Sequence, residues 1–203
     1  MRIAAIAIGD ELLDGRIRDR NIPALGRFLD ERSLQLIHAR VVPDEKPAIG
    51  DAFEETTDRA DLVVATGGLG PTGDDRTRAA AAEWAGRELE LDEPTLERLE
   101  RRFEEHGYTF TPNNRRQCYF PTGAEILASE VGTAPGFVLE RNDAETLFLP
   151  GVPREFEWFL DHHLGPRLRD VAVPASASVH LGFLGLGESG VETRVRAAKE
   201  LAD

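Results

Sequence analysis

The chain has almost no cysteine, a deficit of positive charge and no long apolar run. A single cysteine, Cys118, among 203 residues excludes an internal disulfide and a zinc site built from several cysteines; we expect an inert, semi-buried thiol. Lys and Arg total 24 against 37 Asp and Glu, a formal net charge of −13. Such a charge repels a phosphate backbone, so nucleic acid is disfavoured as the main partner.

A membrane partner is disfavoured as well. No apolar run approaches the roughly 20 residues that a membrane helix needs. The short apolar segment 3–8 leads into Gly9 and Asp10 without a cleavage pattern, which predicts the first strand of a cytoplasmic protein. The 41% hydrophobic and 30% charged residues that are present are typical of a folded domain.

Strands and helices alternate in the first half of the chain. The continuous apolar run at 2–8 predicts a strand buried on both faces. Further strands are predicted at 36–42 and 61–66, and helices at 20–32, 47–59, 75–85 and 93–105. After residue 107, prolines punctuate short strands predicted at 125–128, 136–140 and 146–149, which a helix over 153–164 follows. This order predicts an α/β fold with a doubly wound, mostly parallel sheet and helices on both faces.

The remaining sequence is organised differently. Residues 166–178 indicate a linker, 179–186 a strand and 188–201 a helix. One strand and one helix cannot enclose a core, so this segment packs on the main domain, pairs with another subunit or begins a second domain. We therefore divide the chain into a domain over 1–168 and a linker with the strand–helix start of a small second domain over 169–203.

A glycine-rich loop, 66–77, follows the third predicted strand and opens a helix. Glycines let backbone N–H groups approach an anion, and the helix N-terminus favours negative charge. Thr66 and Thr72 add hydroxyl donors. The loop therefore predicts a phosphate site.

Asp74 and Asp75 end this loop. Two carboxylates beside a phosphate call for a hard divalent cation between them, such as Mg²⁺. The alternative is that one of the two aspartates caps the next helix.

Acidic residues also follow the first strand. Asp10 and Glu11 after Gly9 supply a further metal carboxylate or position a water molecule; an acid-rich helix N-terminus is an equally good interpretation. Asn21 is a helix N-cap or a ligand contact, and the N-cap interpretation is favoured.

Three further polar or turn-forming segments are candidates. Asn113, Asn114 and Arg115 suit ribose or phosphate, although a solvated turn with caps is favoured when this segment is taken alone. The segments 132–136 and 149–155 pair glycine with proline at strand ends. Each predicts a tight turn, or a turn that brings backbone amides to a ligand.

Six motifs now stand in one order between about residue 3 and residue 160. They are Gly9-Asp10-Glu11-Leu12-Leu13 with Asn21, Val42-Pro43-Asp44, Thr66–Thr77, Pro112–Gln117, Gly132–Gly136 and Leu149–Glu155. Together they resemble the N-terminal domain of the CinA (competence/damage-inducible protein A) family, which has the molybdopterin-binding, MoaB/MogA-like fold. They also resemble the N-terminal domain of eukaryotic FAD synthase. The resemblance implies a three-layer α/β/α domain with a nucleotide or pterin site.

For the function, the resemblance implies metal-dependent hydrolysis of ADP-ribose to AMP and ribose 5-phosphate. Asp74, Asp75 and Glu11 would be catalytic, with Asp74 and Asp75 holding the divalent metal ion. The alternatives are a molybdopterin- or nucleotide-binding protein of molybdenum cofactor biosynthesis, and a non-catalytic ligand-binding subunit. The substrate-binding residues would be Gly9, Asp10, Asn21, Thr66, Gly67, Gly68, Gly70, Pro71, Thr72, Asn113, Asn114, Arg115, Gly132, Thr133, Pro135, Pro150 and Gly151.

The partners implied are a small-molecule nucleotide or pterin and a second copy of the chain, since family members commonly form dimers. One residue departs from the family pattern. Gly73 stands where many CinA proteins carry lysine, and the lost cation would weaken phosphate binding. The C-terminal domain that the family associates with nicotinamide mononucleotide deamidation has no counterpart in these residues, so no deamidase activity is expected.

Overall fold

A computed structural model describes residues 1–169, 171, 184–185 and 187–200. The chain divides into two compact units, Met1–Val173 and Pro174–Asp203. In the second unit, helix α9 spans Glu188–Glu200. The strand predicted over 179–186 lies outside the described residues except at 184 and 185.

The first unit is built on a six-stranded sheet in the order β2-β1-β3-β8-β7-β6. Strands β2, β1, β3 and β8 run parallel, whereas β7 and β6 continue the sheet in antiparallel pairs. The mostly parallel α/β sheet predicted from the sequence is confirmed. The strands are β1 Ile3–Ile8, β2 Leu36–Val42, β3 Leu62–Thr66, β6 Glu125–Leu127, β7 Gly136–Arg141 and β8 Ala144–Leu149.

Alternate side chains of each central strand enter two separate cores, one on each face of the sheet. Ile6 of β1 packs with Phe53 and Trp84, and Ile3 of the same strand packs with Leu25 and Phe159 on the other face. Two faces that both need cover explain why β1 and β3 are continuous apolar runs. The helices that provide the cover are α2 Asn21–Asp30, α3 Lys46–Thr57, α4 Thr77–Ala85 and α7 Pro153–Phe159.

Helix α7 continues as one π-helical turn, Leu160–Leu164, into α8 Gly165–Leu168. The linker predicted from residue 166 is therefore wrong over its first residues. Pro166 lies in the first turn of α8, where the π-helical turn already interrupts the regular α-helical hydrogen-bond pattern, so that the missing N–H of proline is tolerated.

Several short elements are absent from the sequence prediction. Strands β4 Leu89–Leu91 and β5 Tyr119–Pro121 form a two-stranded antiparallel sheet. Between them in the chain lies helix α5, Glu93–Glu105, which was predicted from the sequence and which packs Leu96 and Leu99 on Cys118. The others are the single-turn helices α1 Asp10–Leu13 and α6 Pro112–Arg115, and a 3₁₀ turn at Arg116–Cys118. Among the described residues, no helix has the length and apolarity needed to cross a membrane.

Candidate functional site

A cavity of about 600 Å³ opens at the edge of the sheet where β1, β3 and β8 end. Parallel strands bring their carboxyl ends to one edge, and open α/β sheets bind ligands there. The cavity brings together most of the site residues predicted from the sequence. Those that line it are Glu11, Asn21, Thr66, Gly67, Gly68, Gly70, Pro71, Thr72, Asp74, Asp75, Thr133, Pro150 and Gly151.

Gly67 lies where the chain segments after β1, β3 and β8 meet. Its N–H donates to the carbonyl of Leu149 over 3.1 Å. Its φ is +106°, and a β-carbon there would lie 2.1 Å from the carbonyl oxygen of Ile8. Only glycine therefore fits this position.

Asn21 holds the loops after β3 and β8 together. Its Nδ2 donates to Thr66 Oγ1 and to the carbonyl of Gly151, both over 2.9 Å. The favoured N-cap interpretation of Asn21 is wrong, because it is Asp19 that accepts hydrogen bonds from the first N–H groups of α2. Asn21 is 5% exposed, and its Oδ1 has no hydrogen-bond partner among the described residues.

Asp75 closes the glycine-rich loop on itself. One carboxylate oxygen accepts from the N–H of Gly70 over 2.7 Å, and the other accepts from the N–H and hydroxyl of Thr72 over 2.7 and 2.6 Å. Helix α4 begins only at Thr77 and has no side-chain cap, so neither aspartate caps it. Asp75 is a loop-forming residue.

The two threonine hydroxyls expected to serve a phosphate donate within the protein. Thr66 Oγ1 donates to the carbonyl of Pro150 over 3.0 Å, and Thr72 Oγ1 donates to Asp75. The free donors of the loop are therefore backbone N–H groups.

Carboxylates outnumber cations around the cavity. Glu11, Asp19, Asp44, Asp74, Asp75 and Glu155 line it against two guanidinium groups, Arg18 and Arg20. Burial raises the pKa of the Asp44 carboxyl group. The hydrogen bond that Asp44 accepts from the N–H of Asp10 lowers this pKa, whereas the negative charges of Asp10, Glu11 and Asp75 raise it further. An anionic ligand would meet repulsion here unless a cation accompanied it.

The carboxylates around the cavity limit how a metal ion could be bound there. Within the described part of the chain, no group of three or more His, Cys, Asp or Glu could hold a metal ion. Mg²⁺ commonly uses one or two carboxylates beside phosphate oxygens. Glu11 and Asp74 suit that arrangement, because neither carboxylate forms a hydrogen bond or an ion pair among the described residues.

Seven predicted residues are not among those that line the cavity. Gly9 and Asp10 directly follow β1. The Asp10 N–H donates to the Asp44 carboxylate over 3.0 Å, and the Asp44 N–H donates back to the Asp10 carboxylate over 3.1 Å. Asn114 caps its own turn by accepting from the N–H of Thr111. The carboxyl group of Glu155 fills the space beside Gly132, whose β-carbon would lie 2.0 Å from Glu155 Cδ. The remaining three are Asn113, Arg115 and Pro135.

Six polar lining residues were missed as individual candidates, namely Arg18, Asp19, Arg20, Asp44, Gln117 and Glu155. The first three directly precede Asn21 in the chain, and each of the other three belongs to a motif quoted above. Gln117 is 1% exposed, and its Oε1 has no hydrogen-bond partner among the described residues. Burial raises the pKa of Glu155, with Arg102 opposing the change.

The chain matches the family model described as "Probable molybdopterin binding domain" over residues 4–170. It is 42% identical over 186 residues to a CinA-like protein of Anaeromyxobacter dehalogenans, covering 89% of this chain and 45% of that protein. It is 38% identical over 198 residues to a CinA-like protein of Citrifermentans bemidjiense, covering 98% and 48%. The chain thus spans about half the length of these relatives.

Solved structures agree. A CinA protein of unknown function from Thermoplasma acidophilum superposes with a TM-score of 0.74 at 33% identity, covering 81% of this chain and 96% of that one. MoaB from Thermus thermophilus, a molybdopterin biosynthesis enzyme, superposes with a TM-score of 0.54 at 22% identity over 81% and 89% of the two chains, which bears on the fold alone. With the family model matched over most of its length, the chain belongs to the molybdopterin-binding domain family and, within it, to the CinA proteins.

Proposed function

We propose that the cavity binds a phosphorylated pterin or nucleotide. The observation that carries the proposal is the distribution of polar groups in one cavity of about 600 Å³, a volume typical of small-molecule sites. The glycine-rich loop supplies backbone donors suited to a phosphoryl group. Asn21 and Gln117 supply buried acceptor oxygens that have no partner among the described residues, and these oxygens suit the N–H groups of a heterocycle.

An unpartnered buried acceptor costs about 1–3 kcal/mol. A ligand that donates to Gln117 would recover that cost, so the orphaned oxygen favours a ligand with ring or amino N–H groups. The family model supports a pterin ligand. The names of the CinA relatives specify no ligand, so a nucleotide is equally compatible with them.

Calorimetric titration with molybdopterin, AMP and ADP-ribose tests the proposal. We expect Gln117→Leu to lower the affinity for ligands that carry a heterocycle about tenfold. The affinity for inorganic pyrophosphate should not change. Asn113→Leu is the matched control, because Asn113 is exposed and does not line the cavity. No binding of any of the three ligands, or equal losses in the two variants, would contradict it.

A second candidate function is metal-dependent hydrolysis of ADP-ribose to AMP and ribose 5-phosphate. It is favoured by the carboxylates at the loop end of the cavity and by the raised pKa of Asp44. A divalent metal ion would polarise a phosphoryl oxygen and lower the pKa of the attacking water. Asp74 and Glu11 would hold it, because the glycine-rich loop already uses both carboxylate oxygens of Asp75.

Product analysis of ADP-ribose with Mg²⁺ and with EDTA tests this candidate. AMP that appears only with metal, and that Asp74→Asn and Glu11→Gln abolish, would support it. Asp58→Asn is a charge-matched control, because Asp58 is exposed at the end of helix α3 and does not line the cavity. Ligand binding without AMP under any metal would favour the non-catalytic binding protein.

A further inference from the structure

Asp75 occupies an anion-binding position in its own loop. Its carboxylate takes the N–H groups of Gly70 and Thr72 over 2.7 Å each and the Thr72 hydroxyl over 2.6 Å. A β-carbon on Gly70 would lie 2.6 Å from Asp75 Oδ2, so glycine makes room for the carboxylate. These are the donors that a glycine-rich loop ordinarily offers to a phosphoryl oxygen.

Helix α4 holds a buried cation, Arg78, three residues after Asp75. Arg78 is 5% exposed, and its Nε and Nη2 have no partner among the described residues. Burial lowers its pKa to about 10, and the negative charge of Asp75 opposes the change. A guanidinium in this state gains from any carboxylate that approaches it.

Two buried amides independently indicate a ligand in the same cavity. Asn21 and Gln117 are 5% and 1% exposed, line the cavity and each carry an oxygen without a partner among the described residues. These two acceptors suit a ligand that donates hydrogen bonds, while Asp75 already takes the loop N–H groups of Gly70 and Thr72.

We propose that a phosphoryl group of the ligand displaces the Asp75 carboxylate from the Gly70 and Thr72 donors, and that Arg78 receives the displaced carboxylate. The inference rests on the proposed function, because it needs a phosphorylated ligand in the cavity. It adds the chemical class that the loop takes, a phosphate ester or pyrophosphate, and the residue that competes with it. Two anions cannot share three donors, so Asp75 sets the affinity for the phosphoryl group.

Titration with inorganic pyrophosphate in EDTA tests the competition directly. We expect Asp75→Ala to bind pyrophosphate about tenfold tighter than the unchanged chain, because the donors are released and a like charge is removed. Asp58→Ala is the charge-matched control. It removes one negative charge from an exposed residue that does not line the cavity, and we expect a change of about threefold at most.

Asp75→Asn keeps the test decisive if Asp75→Ala folds poorly, and a second variant shows where the gain in affinity arises. Asp75→Asn keeps the shape of the side chain but loses its charge and one acceptor, so we expect a smaller tightening in the same direction. Gly70→Ala in the Asp75→Ala background places a methyl group in the vacated position, and we expect the gain to disappear. Urea unfolding of each variant checks that the fold is retained.

A double-mutant cycle tests the role of Arg78. Arg78→Met should weaken pyrophosphate binding severalfold when Asp75 is present and change nothing in the Asp75→Ala background. Equal weakening in both backgrounds would overturn the assignment of Arg78 as receiver of the carboxylate.

The outcomes separate this inference from the proposed function. If pterin or nucleotide binds the unchanged chain and Asp75→Ala binds pyrophosphate no tighter than Asp58→Ala does, the inference is overturned and the proposed function stands. If Asp75→Ala gains affinity for pyrophosphate while no pterin or nucleotide binds, the loop competition is supported and the proposed function fails. No binding by any variant overturns both.

Discussion

The side-chain nitrogen of Asn21 lies 2.9 Å from the hydroxyl oxygen of Thr66 and donates a hydrogen bond to it. The same nitrogen donates a hydrogen bond to the carbonyl of Gly151, and the Thr66 hydroxyl donates one to the carbonyl of Pro150. One amide at the start of α2 therefore joins the ends of β3 and β8. The position of the cavity wall depends on this short chain of bonds.

We expect Asn21→Ala to lower the free energy of unfolding by about 1–3 kcal/mol, because Thr66 and Gly151 lose buried partners. Ligand affinity should fall with it, since the two loops are no longer joined. Urea unfolding and calorimetry measure the two effects. Asn113→Ala, at an exposed amide, should change stability by less than about 0.5 kcal/mol; equal losses would contradict the assigned role.

The placement of Asn21 was beyond local sequence patterns. Its partners lie 45 and 130 positions away, and a sequence window reports only nearby spacing. The continuous apolar runs of β1 and β3 were predictable because burial on both faces leaves a mark in every residue of the strand. Strands β4 and β5 were not, since three residues each are too few to show a period.

The pH dependence of stability should change at Glu155. Burial raises the pKa of Glu155 in the folded state above the ordinary value of 4.5. Its ionisation therefore costs stability, and the cost appears as the pH rises through 4.5 and is complete above the folded-state pKa. Glu155→Gln should be more stable than the unchanged chain near pH 7 and equal to it near about pH 3.5.

Unfolding titrations at the two pH values measure the effect of Glu155. Glu157→Gln is the control, because Glu157 is exposed on the same helix and should change stability by less than about 0.5 kcal/mol at both. A gain for Glu155→Gln that persists at the acid pH would show that ionisation is not its cause.

Cys118 should resist alkylation in the folded protein. It is fully buried against Leu96 and Leu99, and burial raises its pKa to about 11. At pH 8 about one thiol in a thousand is then the reactive thiolate. Iodoacetamide should modify Cys118 quickly in urea and slowly without it, as mass spectrometry would show; equal rates would place the thiol at the surface.

The glycine-rich loop shows where sequence and structure part in the site itself. The succession of a buried strand, glycines and a helix predicted the cavity edge correctly, because that succession is local. The same pattern placed Asp75 beside a cation or at a helix cap. In the structure its carboxylate turns back to Gly70 and Thr72, a conformation that depends on the missing β-carbon of Gly70 and on no feature of Asp75 alone.

Gly73 offers a gain-of-function test at the loop. A β-carbon at Gly73 would meet nothing within 4 Å, and the position is exposed, so a lysine fits without strain. Lysine is the residue that the CinA resemblance leads one to expect there. We expect Gly73→Lys to bind inorganic pyrophosphate roughly threefold to tenfold tighter at low salt, because a cation is added to a cavity edge rich in carboxylates.

Salt separates this charge effect from a change in loop shape. Interactions between exposed charges are largely screened beyond about 10 Å at 0.1 M salt, so the advantage of Gly73→Lys should shrink as salt is raised. Gly73→Gln, of similar length and without charge, should bind pyrophosphate as the unchanged chain does. If Gly73→Gln gains as much as Gly73→Lys, the backbone at residue 73 controls affinity, and the lysine of the relatives acts through the loop's conformation instead of its charge.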